Sequence, residues 1–319
     1  MAQPTTETHP PAPALPSGIA ALPGPIAAFD VGGTAIKAGL VHPDGRITHR
    51  SASPTPKSAS DPAGAVIAHV AERAAGMPEP VGLGLIVPGI VDDARGVGVV
   101  SANLGWRNAQ FRDPLAAKTG LPVGFTHDVT AAAMAEARFG AAQEEATFAI
   151  IVIGTGIAAG LFVADSPHRG NGYAGEIGHT VIDPAGPPCP CGAQGCLEQF
   201  ASAAAIARRY SSRSGNRATG AKDVLRAKAG GDEIAAQVWQ EAIYALAAGL
   251  RQLATSLAPG VIVIGGGLQL AGEELFAPLR AAVAETFTIY PVPSIVPARC
   301  GPDAGLLGSA IIGAQAVTG

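Results

Sequence analysis

Charged and aromatic side chains are both scarce in this chain of 319 residues. Asp, Glu, Lys and Arg make up 14% of it and Phe, Trp and Tyr 5%, whereas 48% of the residues are hydrophobic. The formal net charge is −4, and Lys and Arg do not cluster, so the electrostatic footprint of a nucleic-acid-binding protein is missing. The composition predicts a compact globular protein, long enough for two domains, with no nucleic-acid partner.

Cysteine is also scarce, with four residues in the chain, which fits a reducing cytosol and predicts a cytoplasmic location. A secretory signal is not recognisable either. The first 24 residues contain six prolines and lack a basic start followed by an apolar core. Residues 1–24 are therefore predicted to form a disordered tail.

One uncharged run, from Ala146 to Ala164, approaches the length of a membrane span. The triplet Gly154–Gly156 interrupts this run, and β-branched residues dominate its first half. Two buried strands joined by a glycine turn explain both features better than a transmembrane helix does. No membrane partner is expected.

Short apolar strands that flank glycine turns recur along the chain. Two predicted hairpins share this form, residues 26–30 with 35–41 and residues 147–153 with 157–164. Helices are predicted between and after them, including residues 129–139 and a segment at 234–257 whose apolar side chains recur at helical spacing. Strands that alternate with helices, with a glycine hairpin in each half, predict an α/β protein of two similar lobes.

The glycine turns are candidate phosphate sites. In the first hairpin Asp30 stands at a strand end beside the run Gly32–Thr34. Unshielded turn amides form an anion-binding concavity, and the carboxylate can hold Mg²⁺ or its waters. Similar turns occur at Gly154–Gly156 and Gly265–Gly267. Each turn alone could be a plain tight hairpin, but the set favours a site that grips a triphosphate. A Walker A loop and the dinucleotide fingerprint are both absent from the sequence.

One histidine and three cysteines form a candidate metal site: His179, Cys189, Cys191 and Cys196. They supply four nitrogen and sulfur ligands, which completes a tetrahedral zinc site and implies a structural metal that orders a segment rich in Gly and Pro. The alternatives are a reduced loop with chance cysteines and a redox pair. The spacing of Cys189 and Cys191 does not match the C-x-x-C motif of thiol oxidoreductases.

Nine motifs then identify a family. They are F-D-V-G-G-T-A-I-K at 29–37, V-P-G-I-V-D at 87–92, N-L-G-W at 103–106, H-D-V-T-A-A-A at 127–133, G-T-G-I at 154–157, G-E-I-G-H at 175–179, C-P-C-G-A-Q-G-C-L-E at 189–198, I-G-G-G at 264–267 and D-A-G-L-L-G-S-A at 303–310. In these motifs the chain resembles the ROK family of repressors, open reading frames and kinases.

The resemblance implies an actin-like ATPase (ribonuclease H-like) fold, in which two similar lobes flank a cleft. Residues 25–126 plus 304–319 would form the small N-terminal lobe. Residues 127–303 would form the large C-terminal lobe with the zinc-binding loop. It also implies an ATP-dependent sugar kinase that uses Mg²⁺ with ATP and structural Zn²⁺. The implied nucleotide ligands are Asp30, Gly32, Gly33, Thr34, Lys37, Gly154, Thr155, Gly156, Gly265, Gly266 and Gly267.

The resemblance assigns the catalytic base to Asp128, which precedes a predicted helix whose dipole favours the ionised carboxylate. From the pattern alone, a helix N-cap explains Asp128 equally well. The implied sugar ligands are Asn103, His127, Asp128, Glu176, His179 and Glu198. Carboxylates and amides suit vicinal hydroxyl groups, although solvated acids are the alternative for Glu176 and Glu198. His179 would hold zinc with one ring nitrogen and the sugar with the other.

One departure concerns the substrate. The family commonly has Asn-Asp where this chain has His127-Asp128. The identity of the substrate therefore cannot be inferred from glucose-specific relatives. The His-Asp form resembles that of amino-sugar kinases, which favours N-acetylglucosamine, phosphorylated at the 6-hydroxyl, with glucose as the alternative.

Two alternatives come from other classes. A sugar-responsive repressor needs a helix-turn-helix module, and the proline-rich segment before the first strand does not fit one. A non-catalytic sugar-binding module would bind a hexose without turnover. The resemblance further implies a homodimer, for which the helix at 234–257 is a candidate surface, although core packing is its other use.

Overall fold

The computed structural model describes residues 19–287 and 291–319. The strands are β1 Ile26–Val31, β2 Ala35–Val41, β3 Ile47–Pro54, β4 Gly82–Val87, β5 Ile90–Asp92, β6 Val97–Ser101, β7 Trp106–Gln110, β8 Val123–His127, β9 Phe148–Ile153, β10 Ile157–Val163, β11 Ser166–His168, β12 Val261–Gly265 and β13 Ser294–Pro297. The helices are α1 Pro62–Ala75, α2 Arg112–Thr119, α3 Asp128–Phe139, α4 Glu198–Ala201, α5 Ala203–Ser214, α6 Ala221–Ala229, α7 Glu233–Leu257, α8 Glu273–Thr286 and α9 Ala304–Thr318.

The N-terminal sheet has the strand order β3-β2-β1-β4-β8. β1 and β2 form the predicted hairpin, whereas β1, β4 and β8 run parallel. The carboxyl ends of parallel strands meet at one edge of a sheet, so Asp30 near the end of β1 and His127 at the end of β8 lie at the same edge. This edge is where the site is built.

The C-terminal sheet repeats this plan with the order β11-β10-β9-β12-β13. The antiparallel hairpin β9–β10 turns at Gly154–Gly156, and β12 runs parallel to β9. The run 146–164 is thus a strand pair, as predicted, and no helix among the described residues has the length and apolarity of a membrane span. The two sheets of matching order confirm the prediction of two similar α/β halves, while the exact lobe boundaries stay a prediction.

The helices α3 and α9 pack together in an apolar core that both sheets share. Residues 306–314 of α9 are all buried, because the helix is apolar on every side. A Cβ on Gly308 would lie 2.0 Å from the carbonyl oxygen of Ala131 in α3, so the two backbones approach too closely for any side chain. The helices α1 and α2 cover the other face of the N-terminal sheet, and α5 to α8 cover that of the C-terminal sheet.

One acidic side chain is fully buried in this shared core. Glu136 of α3 accepts hydrogen bonds from the backbone N–H groups of Ala141, Arg299 and Cys300, at 2.7, 3.2 and 2.8 Å. The carboxylate therefore ties the end of α3 to the segment that leads into α9. Burial and the neighbouring Glu136 raise the pKa of the Cys300 thiol.

The predicted tail 1–24 needs a correction at its boundary. Residues 1–18 lie outside the described residues. Ile19 and Leu22 are buried in the shared core, and Arg138 donates a hydrogen bond to the carbonyl oxygen of Ala20 at 2.8 Å. Residues 19–24 therefore pack onto the folded body because they carry apolar side chains between the prolines.

A three-stranded sheet, β5-β6-β7, extends from the N-terminal half and was not predicted. Its strands are short, with three to five residues each. The turn between β6 and β7 carries Asn103, which is exposed.

Candidate active site

Two carboxylates lie at the same edge of the N-terminal sheet, on strands that β4 separates. Asp30 lies on β1 and Asp128 follows β8 directly. Burial raises the pKa of Asp30, and the charge of Asp128 raises it further, while Lys37 at 3.7 Å lowers it. A cation such as Mg²⁺ would offset the cost of keeping Asp30 ionised.

The raised pKa of Asp30 predicts a gain in stability when the charge is removed. Because the folded-state pKa lies above the unfolded value, the folded protein binds this proton more tightly, and stability falls as pH rises through the two values. Asp30→Asn should therefore raise the apo-protein Tm at pH 7, by about 2 °C, and flatten the decline of Tm as the pH rises above the ordinary carboxyl pKa of about 4. Calorimetry at about pH 4 and at pH 7 measures this. An unchanged or lower Tm at pH 7 would contradict the assignment.

Asp128 is held by the start of α3. Its Oδ1 accepts a hydrogen bond from the N–H of Val129 at 2.7 Å and lies 3.1 Å from Nε2 of His127. The N-cap position belongs to His127, which makes no side-chain cap. The carboxylate is thus fixed through one oxygen, and Oδ2 makes no hydrogen bond within the described residues.

Glu198 connects the cysteine-rich segment to the second glycine turn. Its Oε2 accepts a hydrogen bond from the N–H of Ile157 at 2.9 Å, directly after Gly154–Gly156. A Cβ on Gly156 would lie 2.6 Å from the same oxygen. The sequence spacing gives no sign of this contact, which is made between residues 41 positions apart.

This contact predicts the effect of Gly156→Ala. The added methyl group would displace the Glu198 carboxylate and break its bond to Ile157, so we expect the sugar KM to rise about tenfold with little change in Tm. Steady-state kinetics with varied sugar test this. Gly220→Ala is the control, because a Cβ there meets no atom within 4 Å. An unchanged sugar KM in Gly156→Ala would show that the position of Glu198 does not matter.

Glu176 and His179 lie side by side, with Oε2 and Nε2 3.9 Å apart. The preceding Gly175 has φ +95°, and a Cβ there would lie 2.0 Å from the carbonyl oxygen of Ala159. The backbone before Glu176 therefore lies directly on β10, where only glycine fits.

The predicted metal ligands come together. One donor atom from each of His179, Cys189, Cys191 and Cys196 lies within 4.8 Å of the others. Nδ1 of His179 is 3.6 Å from Sγ of Cys189, and the sulfurs of Cys191 and Cys196 are also 3.6 Å apart. These separations fit the edge of a tetrahedron with zinc–sulfur bonds of about 2.3 Å. The donor set is therefore suited to zinc, and Nε2 of His179 remains on the side of Glu176.

Without a metal the thiol of Cys196, one of the two buried cysteines of the cluster, holds its proton. Burial and the neighbouring thiols of Cys191 and Cys189 raise the pKa of Cys196 to about 12. A metal must displace this proton, so metal affinity falls as the pH falls. Gln199 donates a hydrogen bond to Sγ of Cys189 at 3.5 Å and would orient that ligand.

The glycine turns present open backbone. A Cβ on Gly33, Gly154 or Gly267 would meet no atom within 4 Å. Gly266 has φ +80° and approaches the carbonyl oxygen of Ile153. The turn at Gly265–Gly267 thus lies against the end of β9, beside the second turn, as the prediction of a shared phosphate site requires.

One predicted sugar ligand lies apart from the others, and three residues that were not predicted lie beside two of the predicted ones. The hydrogen bonds of the described residues do not connect Asn103 to the remaining predicted sugar ligands. Asp93, Thr130 and Arg169, which the sequence did not single out, line a cavity of about 20 Å³ together with His127 and Glu176. Thr130 lies inside the motif at 127–133 and Asp93 directly follows the motif at 87–92, whereas Arg169 lies in no motif.

Comparisons with known proteins agree with this geometry. The model of the ROK family matches residues 26–316. The glucokinase of Streptomyces coelicolor is 32% identical over 305 residues, covering 88% of this chain and 95% of that protein. The N-acetylmannosamine kinase of Pasteurella multocida is 32% identical over 289 residues, covering 89% and 94%. The structure of a Streptomyces griseus ROK family glucokinase, in complex with glucose and AMPPNP, gives a TM-score of 0.77 at 32% identity, covering 92% of this chain and 100% of that one.

The match to the family model spans nearly the whole described chain, and the relatives are similar over almost their full length. The actin-like fold predicted from the motifs is confirmed by these neighbours. The chain therefore belongs to the ROK family, and it is a sugar kinase.

Proposed function

We propose that this kinase transfers the γ-phosphoryl group of ATP to the 6-hydroxyl of a hexose, with Asp128 as the general base. The observation that carries this proposal is the pair of carboxylates at the same edge of the N-terminal sheet. Asp128 has one oxygen fixed by the backbone and one available, while the charge of Asp128 contributes to the raised pKa of Asp30. One group can activate a hydroxyl while the other serves the metal of a nucleotide.

The proposed step is an in-line transfer of the γ-phosphoryl group. The C6 hydroxyl gives its proton to Asp128, its oxygen forms the new bond to the γ-phosphorus, and the bond to the β–γ bridging oxygen breaks to release ADP. Phosphoryl transfer needs positioning and charge neutralisation above all. The turns at Gly32–Thr34, Gly154–Gly156 and Gly265–Gly267 would supply backbone N–H donors to the phosphates, apart from the N–H groups of Gly32 and Gly154, which donate within their own turns. Lys37, beside Asp30, would add a positive charge.

Sugar binding is assigned to the predicted sugar ligands from both halves of the chain. Glu198 and Glu176 would accept hydrogen bonds from neighbouring hydroxyls. Asn103 would contribute from the three-stranded sheet. His179 would donate from Nε2, because Nδ1 faces the cysteines. Zinc, held by His179 and the three cysteines, would supply structural order and not chemistry at phosphorus.

Glucose is the first candidate substrate, because the chain is similar to glucokinases over almost their full length. N-acetylglucosamine, favoured by the His127-Asp128 pair, is the second. The cavity beside His127 is bordered by the small residues Ala158, Ala174 and Gly175. The cytoplasmic location and the homodimer stay predictions; the apolar face of α7 packs into the core of the C-terminal half, and Tyr244 on this helix is 57% exposed.

Release of ADP in the presence of a hexose panel tests the function. The panel contains glucose, mannose and their 2-acetamido derivatives, each with Mg-ATP. Turnover with glucose or N-acetylglucosamine is expected, and NMR of the product should place the phosphate on O6. Binding of a hexose without ADP release would favour the non-catalytic module. If none of these sugars bound or was phosphorylated, the proposal would be contradicted.

A further inference from the structure

An ion pair joins two segments on opposite sides of the candidate sugar site. Asp93 directly follows β5 in the three-stranded sheet, and Arg169 directly follows β11 of the C-terminal sheet. The guanidinium Nε of Arg169 contacts Oδ2 of Asp93, and the side chains are 32% and 22% exposed. The pair is therefore shielded more than an ordinary surface ion pair, and its charges are screened less by solvent.

Both partners border the cavity that His127 and Glu176 also line. They thus lie beside two of the predicted sugar ligands, and the step proposed above does not use them.

The backbone between Arg169 and Glu176 is fixed by hydrogen bonds. The carbonyl oxygen of Arg169 accepts hydrogen bonds from the N–H groups of Gly172 and Ala174, at 2.8 and 3.1 Å. The carbonyl oxygen of Gly175 accepts from Ala159 on β10 at 2.7 Å. Arg169 and Glu176 therefore lie on one short hydrogen-bonded segment.

The same segment lies directly on the three-stranded sheet. Gly172 has φ +88°, and a Cβ there would lie 2.2 Å from the carbonyl oxygen of Val91 on β5. β5 pairs with β6, and Asn103 follows β6 after one residue. The ion pair thus connects the sheet that bears Asn103 to the segment that bears Glu176.

We propose that Asp93 and Arg169 are positioning residues for the sugar, and that their ion pair holds the Asn103 and Glu176 sides of the sugar site at the correct separation. This rests on the proposed function, because both sides must contribute ligands to one hexose. A pair that acts on sugar ligands only should change sugar binding and leave the nucleotide site and the chemical step intact.

The test compares Arg169→Gln and Asp93→Asn with Arg169→Lys, which keeps the charge. The first two should raise the sugar KM about tenfold, with kcat and the ATP KM each within about twofold of wild type. The sugar KM of Arg169→Lys should lie within about threefold of the wild-type value. Arg213→Gln is the matched control, because Arg213 pairs with Glu241 between two helices of the same half, and its sugar KM should not change.

Thermal unfolding and calorimetric binding of the hexose distinguish this role from a purely structural one. A lower Tm with unchanged sugar KM in both neutralising variants would overturn the proposal, as would equal rises in sugar and ATP KM. An inactive wild-type enzyme would instead remove the proposed function on which the pair depends. Should Asp93→Asn fail to fold, the contrast between Arg169→Gln and Arg169→Lys decides alone.

Discussion

Asp128→Asn should lower kcat about a thousandfold, because the amide cannot accept the proton of the sugar hydroxyl. The substitution keeps the size of the side chain and one oxygen for the N–H of Val129, now 2.7 Å from Oδ1. Sugar affinity should therefore remain within about tenfold of wild type. Single-turnover kinetics measure the first quantity and isothermal calorimetry the second.

Asp165→Asn is the matched control for this experiment. It makes the same chemical change at a half-buried position in the turn after β10, where φ is +63°, a value that both Asp and Asn tolerate. Its kcat should equal that of wild type. If Asp128→Asn kept more than a tenth of the wild-type kcat, another group would have to take the proton, and the assignment of the base would be wrong.

Cys191→Ser should remove both the metal and most of the sugar affinity. Cys191 is the exposed cysteine of the cluster, so its replacement disturbs core packing less than changes at the buried Cys189 or Cys196. Loss of one thiolate weakens a four-ligand site, and His179 then loses the constraint on its ring. We expect less than about a tenth of the wild-type metal content and a fall in sugar affinity of about a hundredfold.

Elemental analysis and hexose titration of the same preparations test this. Cys300→Ser is the control, because Cys300 lies outside the cluster and its thiol contacts the carbonyl oxygen of Ala135, a contact that a hydroxyl can also make. If metal-free Cys191→Ser kept full sugar affinity, sugar binding would not depend on the metal. A wild-type protein without bound metal would contradict the zinc prediction itself.

The elements that the sequence predicted are those with strong local patterns. β9 and β10 form an uncharged, β-branched run broken by glycine, and α7 repeats apolar residues at helical spacing, so both were found within two residues of their bounds. β3 carries exposed polar residues and β5 has three residues. Neither has an apolar alternation long enough to be distinguished from a loop.

The site shows the same division. The cysteines are close in sequence, so their cluster could be predicted from spacing. The bond from Ile157 to Glu198 and the ion pair between Asp93 and Arg169 join distant segments. Only the packing of two sheets around α3 and α9 brings such partners together, and no local pattern encodes it.

The contact between Gly308 and Ala131 limits how the two halves of the enzyme can move. Where two helix backbones touch, sliding one past the other would drive side chains into carbonyl groups. Rotation about the crossing point requires no such collision, so a closing motion of the two halves would have to turn about this contact. Because α3 begins at Asp128, three residues before Ala131, the base would move little in such a rotation.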